Sequence, residues 1–278
     1  MSDDLRSELR RLYADASKHS VYQSIPDFVA AELDYFEAID EGWRSDRPRL
    51  AYLLDHRRPE AGEHWADFGA NTGFFTLSLA RQYSRTLFTA IEANPRHVRF
   101  IRLIVAHFDL ENVRLVEGSI GLEGLPQLPK CDFLLHLNVL HHAGCDFDGE
   151  LVPSPVEFGS YASRYLERLR AVSGEIYFQM GSNWGGDKAL PLVGARDDEG
   201  KLKLFSRWLR LGGWVIDRIA YPSCSGQTGI VYRDFSPGDS PDALGEELRK
   251  LDLDQFPGEF YRRPMFLGHR TGFAAPVA

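Results

Sequence analysis

Cysteine is scarce in this chain: three in 278 residues, at 131, 145 and 224, with no C-x-x-C pair. An odd, widely spaced set suits reduced thiols better than a disulfide framework or a thiolate zinc site. Long apolar runs are missing too. No stretch approaches the roughly 18 to 20 residues that span a bilayer, and the opening MSDDLRSELRRLY has no apolar signal core. Positive charge is in deficit, with 32 Lys plus Arg against 40 Asp plus Glu, a formal charge of −8. That balance gives no chain-wide field for phosphate backbones and disfavours nucleic acid as a partner. The expectation is a soluble, cytoplasmic protein.

What is present is an ordinary globular composition, 44% apolar and 26% charged, in a chain long enough to need neither disulfide nor metal for stability. Residues 1–60 carry apolar side chains at helical spacing (Leu5, Leu9, Leu12, Tyr13, then Phe28, Leu33, Phe36, Ile39) and no period-2 strand. From 63 the texture changes to short apolar runs alternating with amphipathic stretches, the signature of an α/β domain. Strands are expected at 63–68, 86–92, 113–117, 131–137, 175–180 and from Trp214 to Tyr221, with 229–235 and 264–270 competing for the final sheet position. Helices are expected at 72–82, 95–108, 161–172, 201–211 and about 242–251. The simplest division is an N-terminal helical cap, 1–60, and one α/β domain, 61–278.

The sharpest local signal is the run from Trp65 to Phe75, WADFGANTGFF, a strand ending in an acid, a glycine-bearing turn and then a helix. Gly69 and Gly73 let backbone approach a ligand, and the helix start presents unpaired N–H groups. A dinucleotide G-x-G-x-x-G beginning at Gly69 would need glycine at 71 and 74, where Asn71 and Phe74 stand, and no P-loop follows. What remains is D-x-G-x-N-x-G with Glu92 at the end of the next strand, placed to accept hydrogen bonds from ribose hydroxyls. That combination suits a nucleoside without a pyrophosphate.

At these residues the chain resembles the class I S-adenosylmethionine-dependent methyltransferases, from Glu63 to about Tyr221. DFGANTG looks like their first motif, AIEANP like the second, VEGSIG like the third and CDFLLHLNVLHH like the fourth. The resemblance implies a Rossmann-like, seven-stranded, mostly parallel sheet with a reversed final strand and helices on both faces, plus the N-terminal extension. It implies S-adenosylmethionine as cofactor, and S-adenosylhomocysteine as product, bound by Asp67, Gly69, Asn71, Gly73, Glu92, Gly118, Ser119 and Asn138. Asp67 would meet the amino end, Glu92 the ribose, Gly118 and Ser119 the adenine surroundings, and Asn138 the methionine part. Asn71 in place of a middle glycine is a departure that touches loop detail rather than cofactor class.

Such an enzyme mainly aligns its acceptor and removes a proton. His141 and His142, at the end of the fourth strand, are the candidate general bases, with His141 placed marginally ahead; packing or backbone capping is the alternative for either ring. A metal set built from His141, His142, Cys145, Asp146 and Asp148 is weakened because adjacent histidines rarely converge on one ion, and no metal is expected. The segment 143–160 reads as a long cleft-lining loop. Asn183 and Trp184, after the fifth strand, are candidate substrate contacts, Trp184 having a packing role as its alternative. The arginines at 44, 47, 49, 57 and 58 with His56, and the pair Arg262 and Arg263, read as anion contacts or, more simply, as solvated faces. The leading expectation is methyl transfer to oxygen or nitrogen of a small metabolite, in specialised-product biosynthesis. A tRNA wobble-uridine modifier, suggested by NVLHH and the arginines, and a non-catalytic cofactor-binding protein of the same fold are the alternatives.

Overall fold

The computed structural model describes residues 2–14, 21–39, 46–225, 229–236, 241–256 and 258–272. Contacts divide the chain into two compact units, 1–119 and 120–278. Among the described residues there are eight strands and eight α-helices.

The first unit holds helices α1 (Ser2–Tyr13), α2 (Asp27–Leu33) and α3 (Asp46–His56), then β1 (His64–Phe68), α4 (Phe74–Gln82), β2 (Leu87–Glu92), α5 (Pro95–His107) and β3 (Val113–Glu117). Its strands lie in the order β3-β2-β1 and run parallel, Trp65 opposite Phe88 and Ala90 opposite Leu115. Four of the five β1 residues are buried, as expected of a parallel strand covered on both faces. Helix α5 starts where the sequence points: Asn94 accepts the Arg96 N–H at 2.9 Å and Pro95 fills the first turn, where its missing N–H costs nothing.

The N-terminal helices share this unit's core. Leu9, Leu12 and Tyr13 of α1 and Val29 and Leu33 of α2 pack with Phe100, Ile101 and Ile104 of α5 in one buried cluster. The helical spacing read through Ile39 stops short, because Asp34 turns left-handed (φ 47°) and closes α2 at Leu33. Phe36 is consequently 67% exposed rather than part of an apolar stripe.

The second unit holds β4 (Cys131–Leu137), α6 (Pro155–Leu169), β5 (Ser173–Gln179), α7 (Asp198–Leu211), β6 (Trp214–Ser225), β7 (Gly229–Asp234), α8 (Pro241–Lys250) and β8 (Met265–Arg270). Its strand order is β4-β5-β8-β6-β7. β4 and β5 are parallel, while β8 runs antiparallel to both β5 and β6 and β7 antiparallel to β6. Both competing C-terminal segments are therefore strands: β8 is the reversed strand inserted between β5 and β6, and β7 is an added edge strand, one beyond the seven expected. The segment 143–160 is less of a loop than its glycines and prolines suggest. Helix α6 begins at Pro155, capped by Ser154 accepting the Val156 N–H at 3.3 Å, so the loop ends near 154.

Candidate functional site

In the first unit the turn between β1 and α4 is built from backbone that side chains rarely tolerate. Gly69, Asn71 and Gly73 all take left-handed φ, at 66°, 54° and 84°. A β-carbon on Gly73 would lie 2.9 Å from Ile101 of α5, so the second glycine also permits close helix packing. Asn71 steadies its own conformation by accepting the Thr72 N–H at 2.8 Å.

Glu92 closes this turn from the end of β2. One carboxylate oxygen accepts the Asn71 N–H and the other the Asn94 N–H, each at 2.7 Å. Burial alone would raise this carboxyl; His97, whose Nδ1 lies 3.7 Å away, and the two backbone donors outweigh it and hold the group below its ordinary range. A carboxylate has about four lone-pair sites, so an acceptor remains on each oxygen for ligand hydroxyls. Glu92→Gln is expected to destabilise the first unit by about 1–3 kcal/mol, because the amide NH2 would face one of the two N–H donors. Urea unfolding reads this, and an unchanged midpoint would show that the turn does not depend on the carboxylate.

Asp67, at the end of β1, is 5% exposed, and its Oδ2 accepts the Thr76 hydroxyl at 2.9 Å. Its carboxyl is pushed up to about 7, chiefly by burial, with the Thr76 bond opposing and the nearby Glu92 charge adding to the rise. A buried carboxylate that ionises reluctantly is a good partner for a cationic amine. Gly118, just past β3, donates its N–H to the Glu92 carbonyl at 2.9 Å with φ 139°, and a β-carbon there would meet nothing within 4 Å. Ser119 beside it is exposed.

One residue at this turn has no sequence signal. Gln23 Oε1 accepts the Phe74 N–H at 3.1 Å and the Thr72 hydroxyl at 3.3 Å, capping α4 from far upstream. Tyr13 donates to the Gln23 carbonyl at 2.7 Å, and the Ser24 N–H donates to Asp46 at 2.6 Å, so the approach of this segment is fixed.

In the second unit Asn138 follows β4 with left-handed φ of 61°. Its Nδ2 donates to Gln179 at 3.0 Å and its Oδ1 accepts from Arg263 Nη1 at 2.8 Å. Arg263 donates further to Glu259 at 2.7 and 3.1 Å, and Ser182 to the other Glu259 oxygen at 2.7 Å. Arg262 pairs with Asp198 and Asp254, and Lys201, fully buried, donates to Asp198 at 3.4 Å. Arg262 and Arg263 are thus enclosed ion-pair residues and not a solvated face. Basic patterning in sequence does not distinguish these states, because the carboxylates that enclose them come from α7 and from the segment before β8.

The 3₁₀ turn Leu140–His142 carries the two histidines. His141 is buried, and its Nδ1 accepts the Gly181 N–H at 3.2 Å. His142 Nδ1 lies 3.0 Å from Asp146 Oδ2, and the two rings are 4.1 Å apart. Trp184 serves as an anchor, its indole N–H donating to the Ala143 carbonyl at 2.8 Å. Asn183 is 7% exposed, in the 183–187 segment that pairs with Pro191. Asp148 binds the Leu122 N–H at 2.7 Å and the Tyr161 hydroxyl at 2.5 Å, ordering the loop rather than offering a ligand set. Among the described residues no group of three or more His, Cys, Asp or Glu is placed to hold a metal.

The upstream arginines are likewise paired: Arg47 with Asp27, buried Arg49 with Asp46, and Arg57 with Glu63. Arg58 and His56 are exposed, and Arg44 lies outside the described residues. A cavity of about 330 Å³ beside α7 and α8 is lined by Arg196, Asp198, Leu248, Asp254 and Arg262; of the expected site residues it holds only Arg262, and Arg196 and Arg262 pair there with Asp198 and Asp254. No helix among the described residues is long and apolar enough to cross a membrane.

No family model matches this chain, and no curated protein matches it. Its likeness to solved structures defines a fold, that of the class I S-adenosylmethionine-dependent methyltransferases. EvdMO1 aligns at 16% identity over 96% of this chain and 47% of its own, with a TM-score of 0.50. WbdD, described as a bifunctional kinase-methyltransferase, aligns at 15% identity over 94% of this chain and 41% of its own, also at 0.50. The chain spans less than half the length of these two. The precorrin-6y C5,15-methyltransferase of Geobacter metallireducens GS-15 aligns at 15% identity over 80% of this chain and 86% of its own, with a TM-score of 0.44.

Proposed function

We propose that this chain is an S-adenosylmethionine-dependent methyltransferase that methylates oxygen or nitrogen of a small metabolite. The observation that carries the reading is the left-handed turn at Gly69, Asn71 and Gly73 latched by Glu92 through the Asn71 N–H. It presents an acid with spare acceptors at the end of β2 and a buried carboxyl, Asp67, at the end of β1. Ribose hydroxyls suit the first and a cationic amino group the second, so the residues fit the cofactor. When bound, S-adenosylmethionine supplies a methyl group already activated on a sulfonium centre. This chain's own residues bind and orient: Asp67, Gly69, Asn71, Gly73, Glu92, Gly118 and Ser119 are assigned to the cofactor, as is Asn138, whose amide is held at both ends by Gln179 and Arg263. The histidines of the 140–142 turn are assigned to the acceptor's proton, and Asn183 to acceptor contact.

The small acceptor is supported by charge. Arg47, Arg49, Arg57, Arg262 and Arg263 are engaged with Asp27, Asp46, Glu63, Asp198 and Glu259, and the chain carries a net −8. Calorimetric titration with S-adenosylhomocysteine tests the function, with micromolar binding, about −8 kcal/mol, expected. Absence of binding at millimolar ligand would overturn it and leave a non-catalytic protein of this fold. An unmodified tRNA whose affinity falls steeply with added salt, as counterion release requires, would replace the small acceptor with RNA.

A further inference from the structure

The cap that Gln23 places on α4 uses only half of its amide. Gln23 Oε1 accepts the Phe74 N–H at 3.1 Å and the Thr72 hydroxyl at 3.3 Å. A backbone N–H can only donate, so the oxygen of this amide is fixed against α4 and the Nε2 amino group is turned away from it. No described residue accepts a hydrogen bond from that Nε2. The side chain is nevertheless firmly placed. Tyr13 donates to the Gln23 carbonyl at 2.7 Å, the Ser24 N–H donates to Asp46 at 2.6 Å, and buried Asp46 is paired with buried Arg49. Val21 opens the segment with a left-handed φ of 64°, unfavourable for a β-branched residue and kept only where the surroundings impose it. Two donors held in this way are ready for an acceptor from outside the chain.

The charges around that amide name the acceptor. Asp67 meets the same first turn of α4, its Oδ2 accepting the Thr76 hydroxyl at 2.9 Å. Arg49 lies over the Phe75 ring at 5.2 Å. Burial chiefly pushes the Asp67 carboxyl up to about 7, and the Thr76 bond and the Arg49 charge oppose that rise. An acid, a cation and a neutral donor thus meet at residues 72–76. A purely cationic group would gain from Asp67 and lose to Arg49, and a purely anionic one the reverse. A zwitterion with both charges on one carbon satisfies the set, provided that its two partners sit within one helical turn, roughly 5.4 Å. Gln23 at Phe74 and Asp67 at Thr76 meet that condition. We infer that Gln23 Nε2 binds the carboxylate of the cofactor's α-amino acid end while Asp67 takes its ammonium, so that the segment 21–25 selects a ligand bearing that carboxylate. The inference rests on the proposed cofactor site and adds to it a residue far outside the glycine turn and its acid. Glu92 keeps the ribose.

The experiment is calorimetric titration of the full chain with two ligands: S-adenosylhomocysteine and its decarboxylated form, which keeps the adenosine, the sulfur and the amine. The wild type is expected to bind the first about tenfold tighter or more, the worth of a hydrogen bond to a charged group. Gln23→Glu keeps an oxygen for the Phe74 N–H and the Thr72 hydroxyl and puts an acid at a helix start, so it should melt no lower than the wild type. Its second oxygen replaces the donor and repels a carboxylate, so the preference should vanish or reverse. Gln23→Met removes donor and cap together and should bring the ratio of the two affinities near one. A ratio measured on one protein cancels a general loss of stability, so this variant remains informative even if it is less stable. A role confined to capping α4 would leave the ratio unchanged in both variants, and that result overturns the inference, as does a wild type without preference for the carboxylate. Wild-type binding of neither ligand at millimolar concentration overturns the proposed function and this inference with it, whereas binding with an unchanged ratio overturns the role of Gln23 alone.

Discussion

Asp67→Asn is expected to stabilise the protein by about 1–3 kcal/mol at pH 8 and to destabilise it by about 1–3 kcal/mol at pH 4. The carboxyl titrates near 7 in the folded state against an ordinary value of 3.8, mainly through burial and secondarily through the Glu92 charge. Between those values the folded state binds more protons than the unfolded chain, so this group's contribution to stability falls as pH rises through the window. Above it, ionisation in the interior costs up to about 4 kcal/mol at 1.36 kcal/mol per unit. Asparagine removes that cost and its oxygen still accepts the Thr76 hydroxyl, but its buried NH2 needs partners, which offsets about 1–3 kcal/mol. Urea unfolding of both proteins from pH 4 to pH 8 measures the difference. A stability difference flat across that range would show that Asp67 ionises freely. Under the proposed function the same substitution should weaken S-adenosylhomocysteine binding by about 1.5–3 kcal/mol, the worth of a hydrogen bond to a charged group. A variant more stable but poorer at binding is the behaviour of a residue kept for its ligand.

Arg263→Met should cost about 2–4 kcal/mol, because it strips the largely enclosed Glu259 carboxylate, 18% exposed, of its principal counter-charge. Arg263 makes two bonds to Glu259 and one to Asn138, and is 6% exposed. Burial by itself would raise the Glu259 carboxyl, and Arg263, with help from Ser182 and Lys201, holds it below its ordinary range. A depressed carboxylate contributes stability above its unfolded pKa and loses it as pH falls through the folded value. The penalty of Arg263→Met should therefore shrink on acidification, when Glu259 can take a proton instead of a partner. Arg263→Met combined with Glu259→Gln should recover much of the loss, since removing both members of a buried pair costs less than removing one. Chemical unfolding of the two single variants and the double variant at pH 7 and pH 5 reads the cycle. Additive losses would mean that the pair is not coupled.

The glycine turn and its acid were legible because local chemistry forces them. A chain that turns at 69 and 73 with left-handed φ needs glycine there, and a strand that ends at Glu92 places its carboxylate at the sheet edge. Helix α5 was legible for the same reason, since Asn94-Pro95 is a start signal made of neighbours in sequence. Ser154-Pro155 with Glu157 is an equally local signal for α6, yet the surrounding glycines and prolines read as loop.

Patterning over a few residues determined the α/β class, the helical N-terminus, the strands and the turn beneath the proposed cofactor, because periodicity and φ preference act between near neighbours. Only the tertiary structure decided which C-terminal segment enters the sheet between β5 and β6, that Gln23 caps α4 from 51 residues upstream, and that Arg262 and Arg263 are enclosed. It likewise decided that His141 Nδ1 accepts the Gly181 N–H. These outcomes depend on partners brought together by folding. The charge of an arginine or the ring of a histidine is written in the chain, but its burial and the atom opposite it are set by which distant segments pack around it.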